Sequence, residues 1–179
     1  MEIYLIRHTE TVVEKGICYG QSDVEIREPY TAVFDEIANQ LPNDAVLFSS
    51  TLKRCLLLSN HIKNRKKYNE LIQDERLIEM NFGDWELQSW NEINEDDLNP
   101  WMEDFVTIKA INGECFQDLH NRVLNFIETQ INTLQQLKPI VIVAHAGIVR
   151  SFLCHFQNLN LKDAFQNKVD FGQVIKIKI

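Results

Sequence analysis

The sequence predicts an α/β fold, one domain built on a mostly parallel sheet, and three observations carry that reading. Short apolar runs rich in β-branched residues alternate with segments of helical period, the order expected when helices cover a parallel sheet. The runs are apolar throughout instead of alternating, as strands buried on both faces are. The 179 residues suit a single core, and no repeat, low-complexity run or Gly/Ser linker divides residues 1–179.

In chain order, Glu2–Ile6 is the first strand. Tyr30–Leu41 follows as a helix with Val33, Phe34, Ile37, Ala38 and Leu41 on one face, stopped by Pro42. Ala45–Phe48 is the second strand, and Thr51–Ile62 a helix begun by Ser50 or Thr51, both good N-caps. Lys63, Arg65, Lys66 and Lys67 then suit the negative end of that helix. Residues 80–114, rich in Asn, Asp, Glu and Trp, read as an irregular excursion, with Glu95-Asp96-Asp97 a solvated turn or helix start. Phe116–Leu137 is the longest periodic segment, carrying Leu119, Val123, Leu124, Ile127, Ile131 and Leu134 on one stripe. Ile140–Ala144 is a third strand, Ile148–Phe156 a helix opened by Gly147, and Gln173–Ile179 a half-exposed strand, an edge guarded by Lys176 and Lys178.

Composition narrows the function. Eighteen Lys and Arg against 26 Asp and Glu give a formal charge of −8, which repels a phosphate backbone and argues against nucleic-acid binding. Cys18, Cys55, Cys115 and Cys154 are scattered, with no CxxC pair, and read as free thiols in a reducing cytoplasm. Met1–Arg7 is too short and too acidic for a signal peptide, and no stretch approaches the roughly 20 apolar residues of a membrane span. The reading is a soluble cytoplasmic protein, with oligomeric state left open.

Ligands of open α/β sheets bind beyond the carboxyl ends of the strands. Arg7-His8 follows the first strand, Ser49-Ser50 and then Arg54 follow the second, and His145-Ala146-Gly147 follows the third. Two arginines, two histidines and two helix N-termini on one rim describe a phosphate pocket containing an imidazole. Each histidine alone fits an ordinary loop residue; the set is harder to dismiss. Zinc is the other use of paired histidines, but HxxxH and HExxH spacings and a nearby Cys pair are lacking, so no metal or cofactor is expected. Bottom-up, the proton donor that phosphomonoester chemistry needs stays open among Glu75, Glu79, Asp84 and Glu86.

These motifs resemble those of the histidine phosphatase (phosphoglycerate mutase-like) superfamily: Arg7-His8-Thr9-Glu10 its Arg-His-Gly-Glu signature, Ser49–Arg54 its second-arginine motif, Ala144–Gly147 its second-histidine motif. The match runs in order along nearly the whole chain. Gly16–Val24, Glu79–Glu86 and Asn112–Phe116 are most similar to the α-ribazole phosphatase branch. The resemblance implies a three-layer sandwich and hydrolysis of a small phosphomonoester, α-ribazole 5′-phosphate, through a phosphohistidine on His8. Arg7, Arg54 and His145 would clamp the phosphoryl oxygens, with backbone near Ala146 assisting, and Glu79 would be the general acid.

Three positions depart from the family: Thr9 for Gly, Glu14 for a phosphate-contacting Asn, and Leu87 for a Gly after the Trp-Glu pair. Glu14 weakens a mutase reading more than a phosphatase one. Glu10 reads as structural. Of Trp85, Trp90, Trp101, Phe82 and Tyr19, the substrate-wall candidates are Tyr19 and Trp85, the others being core; Cys154-His155 reads as packing. A general sugar or nucleotide phosphatase, a mutase and a non-catalytic phospho-ligand binder are the alternatives, the last expected to have lost pocket residues.

Overall fold

Strands β1 (Glu2–Arg7), β2 (Val46–Ser49), β3 (Leu71–Gln73), β4 (Ile140–Ala144) and β5 (Val174–Lys178) form one sheet in the order β3-β2-β4-β1-β5. This computed structural model describes residues 1–134 and 138–179. β1, β2, β3 and β4 run parallel, and β5 closes one edge antiparallel to β1. β3 was not expected, since Leu-Ile-Gln is too short to show a period. The other strands fall within a residue or two of expectation, and β5 is an edge: Ile177 is buried, Ile179 exposed, and Lys176 pairs with Glu2 at 2.7 Å.

Alternation along the buried strands sends side chains to two cores. Ile3, Leu5, Phe48, Ile140 and Ile142 meet α4 (Phe116–Phe126) and α5 (Ala146–Gln157). Tyr4, Ile6, Leu47, Val141 and Val143 meet α1 (Thr31–Asn39) and α2 (Lys53–Lys66). The result is the three-layer sandwich. No helix among the described residues is long and apolar enough to cross a membrane, and the four cysteines are buried and unpaired.

Several boundaries differ from expectation for local reasons. Val33 is exposed because α1 buries only Phe34, Ile37 and Ala38. α2 starts at Lys53, with Leu52 in the cap position, while Ser50 Oγ accepts the Leu52 N–H at 3.3 Å. It runs on to Lys66, so Lys63, Arg65 and Lys66 lie within its last turn, and Lys67 ends it in the left-handed region. α4 gives way to a wide π turn at Ile127–Ile131 that keeps Ile127 and Ile131 buried; the expected end at Leu137 lies outside the described residues. Residues 80–114 are not wholly irregular: Asn94 accepts the Asp96 N–H at 3.0 Å and opens α3 (Glu95–Glu103), whose first turn carries Glu95, Asp96 and Asp97 at its positive end.

Candidate active site

The parallel strands deliver their carboxyl ends to one rim, in register. Arg7 pairs with Ala144 across β1–β4, and Ser49 with Val143 across β2–β4. His8 N–H donates to the Ala144 carbonyl and Ser50 N–H to the Val143 carbonyl, both at 3.0 Å, so the loops after the strands start from fixed points. A cavity of about 330 Å³ opens there, lined by Arg7, His8, Ile17, Tyr19, Arg54, Glu79, Phe82, Trp90 and Arg150.

His8 is buried with Nδ1 2.8 Å from the Thr9 carbonyl. A carbonyl only accepts, so Nδ1 carries the proton and Nε2 the lone pair. Burial, then the Arg54 charge, hold its pKa down at about 3, leaving a neutral imidazole at pH 7. His145 lies behind it, ring centroids 5.2 Å apart, fully buried and held well below the ordinary value by burial and Arg54. Its Nε2 shares a 2.8 Å hydrogen bond with Ser50 Oγ. Cys55 Sγ lies 3.4 Å from the same nitrogen, but burial pushes that thiol up to about 12 and keeps it unreactive.

Two guanidiniums are fixed by backbone oxygens. Arg54, fully buried, donates to the Ser22 carbonyl at 2.7 Å and to the Gly20 carbonyl. Arg7 donates to the Val169 carbonyl at 2.8 Å and lies over the Phe171 ring at 3.6 Å. The Nε atoms of both arginines are buried without a protein partner. Arg150, on α5, is the third: its Nε donates to the Asn167 carbonyl at 3.2 Å and its guanidinium sits 4.8 Å from the Phe165 ring centroid. None of the three has a carboxylate within ion-pair distance among the described residues. Among the described residues, Glu79 is the one carboxylate on the cavity wall.

Geometry also separates the four carboxylates left open by sequence. Glu75 and Asp84 are exposed, and Asp84 accepts from Asn112. Glu86 accepts from the amides of Gly20, Gln21, Ser22 and Phe82 at 2.9–3.1 Å and from Ser22 Oγ at 2.6 Å, which fixes the loop whose carbonyls hold Arg54. Glu79 reaches the N-terminus of α5, where Oε2 accepts the Gly147 N–H at 3.1 Å. Arg122 anchors the backbone beneath it, donating to the carbonyls of Arg76, Ile78 and Glu79 while paired with Glu114.

The sequence-based candidates sort accordingly. Arg7, His8, Arg54, Glu79 and Tyr19 line the cavity; His145 backs His8 from within the core. Ala146 opens α5 but is not among the lining residues. Trp85 is a correction: it is buried against Trp90 and Trp101, and Phe82 and Trp90, assigned to the core, form the aromatic wall. A 3-10 turn at Gly83–Trp85 directs the Trp85 ring inward. Arg150 was missed because a single Arg in an apolar helix carries no motif; only its place one turn beyond the α5 N-terminus hints at the rim. Glu14 is exposed and away from the cavity, and Glu10 pairs with Arg27 at the surface.

The model of the histidine phosphatase superfamily (branch 1) matches residues 3–179. The chain belongs to the histidine phosphatase superfamily. As a phosphatase of that superfamily it acts on small phosphorylated compounds. The adenosylcobalamin/alpha-ribazole phosphatase of Escherichia coli is 27% identical over 183 residues, spanning 96% of this chain and 87% of its own length. Phosphoserine phosphatase 1 of Hydrogenobacter thermophilus is 26% identical over 167 residues, 90% of this chain and 78% of its own. The crystal structure of the alpha-ribazole phosphatase from Shigella flexneri superposes with a TM-score of 0.89 at 23% identity, covering 100% of this chain and 91% of that one, which shows the phosphoglycerate mutase-like fold.

Proposed function

We propose that this histidine phosphatase hydrolyses its substrate in two displacements through a phosphohistidine on His8. The observation that carries the reading is a neutral imidazole with its lone pair on Nε2, set among three unpaired guanidiniums. Nε2 attacks phosphorus and the bond to the leaving alkoxide breaks, with Glu79 giving the alkoxide its proton. The Nδ1–H bond to the Thr9 carbonyl stays in place and supports the positive ring of the phosphohistidine. Water then attacks phosphorus, Glu79 takes its proton, and phosphate leaves with His8 restored. Arg7 and Arg54 hold the phosphoryl oxygens, their unpartnered Nε–H groups among the donors, and His145 orients the His8 ring. Guanidiniums supply the positive charge, so the reaction runs with a chelator present.

We assign α-ribazole 5′-phosphate as the substrate, supported by relatives of that name along nearly the whole chain and by the segments Gly16–Val24, Glu79–Glu86 and Asn112–Phe116. One observation favours a second reading: Arg150 points to an ester with a carboxylate of its own, such as phosphoserine, which a relative's name also suggests. The test is phosphate release, with chelator, from α-ribazole 5′-phosphate, phosphoserine, ribose 5-phosphate and nucleotides, alongside labelling by a radioactive phosphoryl group. The ribazole ester is expected to lead the panel, and His8→Ala to lose turnover and label while remaining folded. Persistent labelling of His8→Ala would overturn the mechanism; a lead for phosphoserine would overturn the substrate.

A further inference from the structure

The three guanidiniums of the cavity share one form of support, an aromatic ring nearby and a backbone carbonyl as hydrogen-bond partner. Arg7 lies 3.6 Å from the Phe171 ring centroid, Arg150 4.8 Å from that of Phe165, and Arg54 5.5 Å from that of Tyr19. Only the first distance is that of flat van der Waals contact. Phe171 also meets the nucleophile, its ring centroid 5.6 Å from that of His8 at a tilt of 53°. The loop that carries it is latched to the end of β1. Gly172 N–H is shared between the Arg7 and His8 carbonyls at 3.1 Å each, and Arg7 N–H donates to the Gln173 carbonyl at 3.3 Å. Two residues before Phe171, the Val169 carbonyl accepts from the Arg7 guanidinium at 2.8 Å. Yet Phe171 is 41% exposed, belongs to neither hydrophobic core and is not on the cavity wall.

We propose that Phe171 is a positioning residue of the hydrolysis, its ring holding the Arg7 guanidinium in register with His8 while leaving the whole positive charge to the phosphoryl group. The inference rests on the roles given above to Arg7 and His8. A guanidinium needs a partner to fix its plane, and a carboxylate is the common one. A carboxylate would also neutralise the cation and repel the phosphate of the substrate. A ring face attracts the cation through its quadrupole, carries no net charge and takes up none of the in-plane N–H donors. Here the Val169 carbonyl takes one N–H of Arg7 and the ring takes none. Standing off the cavity wall, Phe171 acts through Arg7 and His8. Its exposure separates this role from packing, because replacing an exposed side chain outside both cores changes stability little.

The experiment grades the quadrupole of the ring at nearly constant shape. Phe171 is replaced by mono-, di- and trifluorinated phenylalanine, and separately by Leu and Tyr, with urea midpoints as the check on folding. Two quantities are measured: kcat/KM for α-ribazole 5′-phosphate, and affinity for inorganic phosphate by calorimetry. Both should fall stepwise with fluorination while the urea midpoint does not follow. Phe171→Leu should lower kcat/KM about 5- to 30-fold, the rate equivalent of one cation–π contact between partial and full desolvation. Phe171→Tyr keeps the ring and should stay near the wild type. In an Arg7→Ala background Phe171→Leu should change little, because the side chain it acts through is gone. Flat values across the fluorinated series, or an undiminished loss in the Arg7→Ala background, would overturn the proposal and leave the phosphatase reading standing. Phosphate affinity that follows the series in a protein releasing phosphate from no ester would uphold the hold of Phe171 on Arg7 and overturn the catalytic reading.

Discussion

Gly147 shows how closely the site depends on one missing methyl group. A Cβ built there would lie 2.3 Å from Glu79 Oε1, so only glycine lets the carboxylate reach the N-terminus of α5. Gly147→Ala is expected to swing the flexible end of Glu79 away and lower kcat about 100- to 10,000-fold, the range of losing general acid–base help. Stability should change little, because a side chain moves rather than the backbone; steady-state kinetics with a urea titration check both, and unchanged kcat would count against Glu79 as the proton carrier. Leu87 makes the opposite point. It stands where the family usually has Gly, and its φ of 64° lies in the left-handed region that β-carbons resist, with the side chain 58% exposed. Leu87→Gly should therefore stabilise the protein by about 1 kcal/mol, the cost of that conformation for an L-residue. A thermal shift in the other direction would show that the exposed Leu contributes packing that outweighs the strain. Thr9, the third departure, is tolerated because the site uses its carbonyl, which any residue supplies, while its methyl lies on the side of Gly172 that has no side chain, 3.6 Å from where a Cβ would stand.

At the scale of elements, the site is assembled by short loops that hold one another. The Glu86 carboxylate gathers the amides of Gly20–Ser22, and the carbonyls of that loop hold Arg54. Burial raises the pKa of Glu86, but the hydrogen bonds from Gly20, Ser22 and Gln21 outweigh it and hold the group below the ordinary carboxylate range. Glu86→Gln presents an NH2 to amides that need an acceptor, so it should cost about 2–3 kcal/mol and lower turnover through a misplaced Arg54. Urea unfolding and kinetics on the same preparation test it; full turnover in a destabilised variant would separate the loop from the arginine. This architecture also explains what was legible in the sequence. Arg7-His8, Ser50 through Arg54, and His145-Gly147 stood out because apolar runs precede them and strand ends are where α/β ligands bind. α3 did not, because Asn94–Glu103 is mostly polar and contains Pro100, and its three apolar residues, Leu98, Trp101 and Met102, are too few to set a period. Trp85 and Trp90 could not be ranked for a like reason: the turn at Gly83–Trp85, not the sequence spacing, decides which indole faces the cavity. Glu79 was separable from its neighbours only by the family resemblance, since its role depends on contact with a helix 68 residues further on.

For the whole molecule, the formal charge of −8 and the cluster of unpaired guanidiniums oppose each other: the surface repels anions while one cavity concentrates positive charge. Burial first, and that positive charge second, keep His8 and His145 neutral and tie catalytic readiness to acid sensitivity. In the unfolded chain both titrate near the ordinary value of 6.5; in the folded protein His8 does so only at about 3 and His145 well below 6.5. Between those values the unfolded state binds more protons, so stability is fully present above pH 6.5 and is lost as pH falls toward the folded values. Each histidine contributes a slope of up to about 1.4 kcal/mol per pH unit. Half-buried His120, lowered by burial and by His155, adds to the same limb. Glu86, Asp74, Glu2 and Asp118, all lowered in the fold, enter only below their ordinary values of 4.5 or 3.8. The window from pH 6.5 to 4.5 therefore isolates the histidines. Urea midpoints measured across it should fall steadily for the wild type and less steeply for His8→Asn and for His145→Asn, whatever the absolute stability of each variant. Parallel slopes in all three proteins would mean that the two rings gain protons in the folded state, and a neutral His8 nucleophile would then be untenable at the lower end of that range.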